Sequence, residues 1–550
     1  MTRDLTPAGH AATSQRAAVC RAGVLAASGV ALLAASPVQA AEIKTSGRIT
    51  AGIVTRVQAR DPDLLTGVNA AAIGLNGRGS GGNADDANTN YGKGDAVSRA
   101  VKALFEVSAV DGNWSALLRT KAWYDAGLIR DGRPWGNVAN GYAPGAPLSD
   151  RGAPRLSRFS GVALLDAWVQ GRFAPGEMPL LLRLGRQTTP WGERALAPGG
   201  LEALNPRDAP GLRRAGAAPS ETVVQRPMLF GRFEPASGLA IEAYHQFAFR
   251  PAAPDMCGTL WSMSDYLVDG CDKVMIGAPP VSDRARLPLG AFQARLPTPK
   301  PQAAEFGAGL NWRSRGGATG IGLYHARYTA RSPLPGLRRS SRPAGPPLIP
   351  GEPDGRNMAY FTEYPEGLRI TALTVAHNFA QPLVPGAGPT AVPVAAPKEA
   401  GAAWYGELSY RPATPFMLAP GDILPPFFNP AALSLLRARA DAVPPGGILH
   451  GYDLYPMWQA QVGVRREWRV ANAMVAAGIE VVGKHARGCR TRRCCATAAP
   501  TSSASVRPGG SAPRTPATRR ASAACAATRP RTPGATGCAW TRACRRWRRA

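Results

Sequence analysis

Residues 100–125 read AVKALFEVSAVDGNWSALLRTKAWYD, and their hydrophobicity repeats with period two. Val101, Ala103, Phe105, Val107 and Ala109 share one face, while Lys102, Glu106 and Ser108 share the other. The turn formers Asp111-Gly112-Asn113 follow, and the chain returns with Trp114, Ala116, Leu118, Thr120, Ala122 and Tyr124 opposite Ser115, Arg119 and Lys121. Side chains alternate across a strand, so this pattern specifies a hairpin with one apolar and one polar face. Each arm is about ten residues, the length a tilted strand needs to cross a bilayer. Trp114 and Tyr124 stand at the two ends of the returning arm, where an interfacial aromatic girdle would place them.

The pattern recurs in GRITAGIVTRVQAR, in LLDAWVQGRF and LLLRLGRQ around APGEMP, and in GLAIEAYHQFAF. It continues in FGAGLNWRSRGGATGIGLYHARYTA, AAWYGELSYRP, WQAQVGVRREW and NAMVAAGIEVVG. Between these strands lie long polar or Pro/Gly-rich segments, namely 61–94, 125–157, 251–302 and 332–357. Connections of that length count against a compact soluble domain. An outer-membrane barrel has short turns at one end and long loops at the other. Backbone groups in lipid must be paired within the protein, which strands achieve by closing on themselves. The expected fold is therefore all-β, a large antiparallel transmembrane barrel of roughly 14–18 strands if complete. Lys102, Glu106, Arg119 and Lys121 are its candidate lumen residues. The alternative is a secreted soluble β-protein that binds or hydrolyses a ligand, with the same charges facing solvent on an open sheet.

The N-terminus supplies the compartment. Arg16 and Arg21 precede an apolar run over residues 22–35, followed by SPVQA. These are the three parts of a secretory signal, with cleavage expected after Ala40. The run is too short to span a bilayer as a helix, and no later stretch is long enough. The expected organisation is a signal peptide over 1–40, a barrel over 41–485 and a tail over 486–550. The barrel reading puts the protein in the outer membrane of a Gram-negative cell after Sec-type export. Lipid, lipopolysaccharide and the barrel-assembly machinery are its expected partners.

The tail carries 15 arginines, no Lys, Asp or Glu, and six of the nine cysteines. It dominates the formal net charge of +28; the remainder has 50 basic against 37 acidic residues. Leu, Ile, Phe and Tyr are absent from it, so it cannot bury a core. Its nine residue types are those that GC-rich codons give in a shifted frame, and we expect a frameshift near residues 481–493. An exported chain does not meet nucleic acid, so the tail's charge does not mark a nucleic-acid site. Lipid A binding is the remaining role for a genuine basic tail, and its cysteine spacings fit no zinc pattern.

Cys257 and Cys271 are the only cysteines between the signal segment and the tail. In an exported protein such a pair suggests one disulfide, worth roughly 3 kcal/mol for a loop of about fifteen residues; two free thiols are the alternative. No catalytic or metal-binding motif stands out, and no cofactor is expected. Residues 77–82 (GRGSGG) fit a dinucleotide-loop pattern but lack the flanking strand and helix it requires. His245 and His325 lie within strands, as lumen or interface groups. Asp125, Asp166 and Glu242 could be assembled into an acid/base pair, but nothing in their spacing demands it.

Residues 180–214 carry the most specific motifs: Arg183-Leu184-Gly185-Arg186-Gln187, Trp191-Gly192-Glu193, Asn205-Pro206-Arg207-Asp208 and Arg213-Arg214. They resemble the signature region of the bacterial outer-membrane family called domain of unknown function 1302. DMCGTLWSMSDYLVDGCDKV resembles that family's two-cysteine loop, and YFTEYPEGLRI, GELSYRP and QAQVGV follow in the family's order. The resemblance covers roughly residues 43–482 and departs at Thr188–Pro190, where members carry more apolar residues. It implies an outer-membrane barrel that passes hydrophobic compounds, sterols or aromatics among them. It also implies neighbouring periplasmic or lipid-handling proteins and an RND-type exporter, and carries over no catalytic residue. Two readings of the Trp-Gly-Glu segment stay open: a loop packed on the barrel wall, or an inward loop that narrows the pore or touches the ligand.

Overall fold

The computed structural model describes residues 41–79, 81–141, 145–192, 198–276, 281–341, 358–379, 402–423, 434–470 and 473–488. The signal segment and the tail beyond residue 488 lie outside the described residues.

Eighteen strands are described. In chain order they are β1 (Glu42–Thr55), β2 (Ala96–Asp111), β3 (Trp114–Asp125), β4 (Ser160–Phe173), β5 (Leu180–Gln187) and β6 (Arg226–Ala236). There follow β7 (Leu239–Gln246), β8 (Lys273–Met275), β9 (Phe292–Ala294), β10 (Glu305–Arg313), β11 (Thr319–Tyr328) and β12 (Leu334–Arg339). The last are β13 (Met358–Glu363), β14 (Leu368–Asn378), β15 (Ala402–Met417), β16 (Ile448–His450), β17 (Tyr452–Val470) and β18 (Ala473–Ala486). Thirteen of them form one sheet in the order β1-β2-β3-β4-β5-β6-β7-β10-β11-β14-β15-β17-β18. Every neighbouring pair whose register is described is antiparallel, from β1 against β2 to β17 against β18. The others make a three-stranded sheet (β13-β12-β16) and a hairpin (β8-β9) within the long connections. None of the described helices is long and apolar enough to cross a membrane.

Thirteen strands fall one short of the smallest barrel expected. The segments read as plain loops contain β8, β9 and β12 and so take up chain length that the strand estimate gave to the wall. The last strands are also long, β15 at 16 residues and β17 at 19. Among the described residues β1 pairs only with β2, and β18 only with β17.

The alternation places the side chains. Ile241, Leu310, Leu323, Leu373 and Leu408 lie directly opposite one another across five strands. All five are 45–51% exposed, on the uncovered face. Val169, Leu184 and Leu229 form a second exposed row on β4, β5 and β6, which meets β7 at His245. A belt of large aliphatic side chains kept out of the core on every neighbouring strand is what lipid, not water, would accept. His245 and His325 point out on this face as well, and His325 shares a hydrogen bond with Thr371 Oγ1 at 2.9 Å. The opposite face is covered and carries charged side chains beside buried apolar ones such as Phe230, Tyr244 and Ile370.

One bulge adjusts the covered face. Leu118 pairs with Ala167 and Thr120 with Leu164, so Leu165 and Asp166 together oppose Arg119. A bulge breaks the alternation, and here both Leu165 and Asp166 turn inward, each 1% exposed.

Candidate functional site: an inward segment between β5 and β6

The four lumen candidates lie on the covered face, and each has a partner. Arg119 bridges Glu106 Oε2 at 2.6 Å on its own hairpin and Asp166 Oδ2 at 2.5 Å on β4, the latter made reachable by the bulge. Lys102 Nζ lies 2.8 Å from Glu221 Oε2 and donates to the Gly216 carbonyl at 2.9 Å. Lys121 Nζ lies 2.5 Å from Asp208 Oδ2. Two of the four thus reach not across the sheet but to the connection between β5 and β6, residues 188–225, which folds onto the covered face.

The signature residues form that connection and its anchorage. Gly185 sits at φ 133°, and a Cβ there would come within 2.2 Å of the Ala167 carbonyl on β4. Only glycine fits so close an approach at positive φ. Arg183 donates to Gln170 Oε1 at 2.8 and 2.6 Å and stacks over Trp168 at 4.4 Å. Gln187 ends the strand fully buried, donating to the Arg183 and Met228 carbonyls.

Trp191 leaves the strand and enters the core. It is 2% exposed and donates from Nε1 to Glu242 Oε2 at 2.7 Å. Tyr244 and Tyr324 flank it, both with ring centroids at 5.0 Å. Strand β10 carries Gly307 beneath it, where a Cβ would come within 2.7 Å of the indole. Leu201, Leu204, Phe230, Tyr244 and Tyr324 belong to the apolar cluster that the indole joins. Gly192 turns the chain at φ 84°. Glu193 lies outside the described residues.

The Asn-Pro-x-Asp element is the hinge of the segment. Asn205 exchanges hydrogen bonds with the Thr189 backbone, at 2.9 Å to its Oδ1 and 3.0 Å from its Nδ2. Buried Arg226, the first residue of β6, donates to Asn205 Oδ1 at 3.0 Å, so both ends of the connection meet at this side chain. The Pro206 carbonyl accepts from Val224 N at 2.8 Å. Asp208 caps the short helix Ala209–Arg213, accepting from Gly211 N at 2.8 Å, and its second oxygen faces Lys121. Arg213 and Arg214 follow, Arg213 at 3.6 Å from Asp255 and Arg214 stacked 4.7 Å over Trp123.

The segment touches both edges of the sheet. At one end Glu221 Oε2 lies 3.4 Å from Arg48 on β1. At the other, Lys484 on β18 donates to the Pro198 carbonyl at 2.6 Å, and Leu201 N donates to Glu407 on β15 at 2.8 Å. The sheet therefore curls far enough for its first and last strands to hold one piece of chain between them. The described parts of the segment pack against the covered face of the sheet, between its first and last strands. On its short-turn side it leaves a recess of ≈ 120 Å³ lined by Leu181, Arg183, Phe230, Arg232, Glu242 and Tyr324 among others.

Asp125, Asp166 and Glu242 do not come together. Asp125 accepts from Ser98 Oγ and Arg99 N, Asp166 faces Arg119, and Glu242 pairs with Arg232 at 2.6 Å. Cys257 and Cys271 are disulfide-bonded, with Cα atoms 6.3 Å apart, in the connection between β7 and β10. The partners Glu221 and Glu305 belong to no motif that marks them in the sequence. Glu305 holds Arg331 at 2.6 Å, and its only sequence signal is a charge at the start of an apolar strand.

A family model described as "Protein of unknown function (DUF1302)" matches residues 21–543. No curated protein matches the chain. Among solved structures, the crystal structure of OccK1 (OpdK) from Pseudomonas aeruginosa is similar over 71% of this chain and 88% of that one. Its identity is 9% and its TM-score 0.21. The family match runs through the signature region that forms the inward segment and through every strand of the sheet, and the chain belongs to the DUF1302 family.

Proposed function

We propose that the protein is an outer-membrane β-barrel channel or transporter for small compounds, with residues 188–225 as a constriction inside it. The observation that carries this reading is the inward segment itself. It is tethered to the covered face of the curled sheet by Lys102–Glu221 and Lys121–Asp208, while the other face carries an aliphatic belt. A solute crossing such a wall must pass the segment or displace it.

The recess beside Trp191 combines Phe230, Tyr324 and Leu181 with Arg183, Arg232 and Glu242. That mixture suits a ring system with a polar end, and sterol-like and aromatic compounds are the class to try first. Export by the Sec route, insertion by the barrel-assembly machinery and co-operation with periplasmic lipid-handling proteins and an RND-type exporter belong to the same proposal. No chemistry on the solute is part of it.

The test is reconstitution. The full chain in planar bilayers should conduct, and Lys121→Ala should raise the open conductance or its noise by loosening the segment. Retention in carbonate-washed membranes should accompany this. A chain that washes off with carbonate and leaves bilayers sealed would overturn the reading.

A further inference from the structure

The long connections hold a second charged cluster, apart from the inward segment. Asp85 and Asp86 lie in the connection between β1 and β2, and Asp265 lies inside the loop closed by Cys257–Cys271. One carboxylate oxygen from each lies within 4.8 Å of the other two. The three residues are 1%, 2% and 4% exposed.

Their hydrogen bonds leave a remainder. Asp85 is fully engaged: its Oδ2 accepts from Thr66 N at 2.9 Å and Thr66 Oγ1 at 2.8 Å, its Oδ1 from Asn69 Nδ2 at 3.0 Å. Asp86 Oδ1 accepts from Trp135 Nε1, and Asp265 Oδ2 accepts from Asp86 N at 3.4 Å. Asp86 Oδ2 and Asp265 Oδ1 are buried and have no donor among the described residues. Among the described residues no Lys, Arg or His forms an ion pair with any of the three; the nearby Asp283, by contrast, holds Arg286 at 2.9 Å. Buried carboxylate oxygens without donors or counter-charge are strongly disfavoured, and crowding three carboxylates compounds the cost. Burial pushes Asp85 up to about 6, and burial with the repulsion of neighbouring carboxylates pushes Asp86 and Asp265 well above the usual aspartate range.

We propose that Asp85, Asp86 and Asp265 form a binding site for a divalent cation, with Ca²⁺ as the ion that fits. The donors are all hard oxygens, without nitrogen or sulfur. A spread of up to 4.8 Å suits Ca²⁺, whose ligand distances are about 2.3–2.6 Å, better than Mg²⁺ at about 2.0–2.1 Å. The ion accounts for the two oxygens that lack donors and cancels the charge that no basic residue offsets. It would join the first long connection to the disulfide-closed loop across some 180 residues of sequence (Asp85 to Asp265).

Tb³⁺ is a direct probe, because the Trp135 indole is bonded to Asp86 and can sensitise its emission. The experiment uses the full chain refolded in detergent micelles. Tb³⁺ should give emission on tryptophan excitation that Ca²⁺ displaces and equimolar Mg²⁺ does not. Asp265→Asn and Asp86→Asn should each weaken Ca²⁺ displacement at least tenfold, while Asp63→Asn, on the exposed surface of the same connection, should leave it unchanged. A loss of folding in the two variants is separated by the wild-type chain, whose thermal unfolding Ca²⁺ should raise. No sensitised emission and no Ca²⁺ effect on unfolding by about 10 mM, beyond the weak end of extracellular calcium sites, would overturn the proposal and leave the cluster as a protonated one. Emission unaltered in both variants would overturn it too, as adventitious surface binding.

Discussion

Lys121 on β3 and Asp208 at the head of a short helix stand 2.5 Å apart, neither more than 3% exposed. Asp208 also caps that helix, so one carboxylate both starts the helix and ties it to the wall. Removing one partner of a buried ion pair strands the other charge, at a cost of about 3–5 kcal/mol. Lys121→Ala should therefore lower the urea midpoint, and Lys121→Ala with Asp208→Asn should recover part of the loss. The midpoint of tryptophan-fluorescence unfolding for the two single variants and the pair checks the coupling.

Trp191 depends on the absence of a side chain at Gly307. Gly307→Ala should displace the indole and break its bond to Glu242, although alanine is otherwise harmless in a strand. Trp191→Ala empties a packed site and should cost about 3–5 kcal/mol. Bilayer recordings should show larger currents for both variants than for the unaltered chain; equal currents would separate the indole from the constriction.

Asp255 lies in the connection between β7 and β10, and burial pushes its carboxyl up to about 6 despite Arg213 at 3.6 Å. In the unfolded chain an aspartate titrates near about 3.9. The folded state thus binds the proton more tightly, so this group's contribution is full below about 4 and is lost as pH rises through about 6. Thermal unfolding between pH 4 and 7 should show that fall, and Asp255→Asn should remove its share.

The Cys257–Cys271 bond closes a loop of 14-residue separation. In the chain-entropy model its loss costs roughly 3 kcal/mol. Because the loop lies outside the thirteen-stranded sheet, reduction should speed proteolysis within residues 251–302 and leave the strands protected. Peptide mapping with and without reductant distinguishes this from a global effect.

The tail's alphabet points to its gene. Resequencing the DNA that encodes residues 481–493 should reveal one missing or extra base, and the restored frame should resume period-two alternation. An intact frame would make the arginines a genuine part of the protein.

Much of the sheet was legible because strand alternation is local. The hairpin of β2 and β3 pairs Asp111 with Trp114 as its turn residues demand, and the faces of Lys102, Glu106, Arg119 and Lys121 follow from counting by twos. What lay beyond the sequence was non-local. The bulge at Leu165–Asp166 is set by what it must reach, Arg119, rather than by a glycine or a break in pattern. Glu221 finds Lys102 across 119 positions, and Asp265 finds Asp86 across 179. Strand β12 (LPGLRR) carries proline and glycine, which mask it in composition, and it exists because β13 and β16 flank it.

The number thirteen has a directional consequence. With every neighbour antiparallel, the odd-placed strands all run alike, so β1 and β18 both travel from the short-turn end to the long-loop end. Two such strands cannot meet edge to edge in an antiparallel ladder; joined directly they would make the one parallel seam in an otherwise alternating wall. Antiparallel closure requires an odd number of additional strands, and a single descending one is the smallest solution. It would begin beside Ala486 and finish near Glu42, bringing the chain back to the end from which its first strand rises. The segment held by Arg48 and Lys484 already bridges that gap from within.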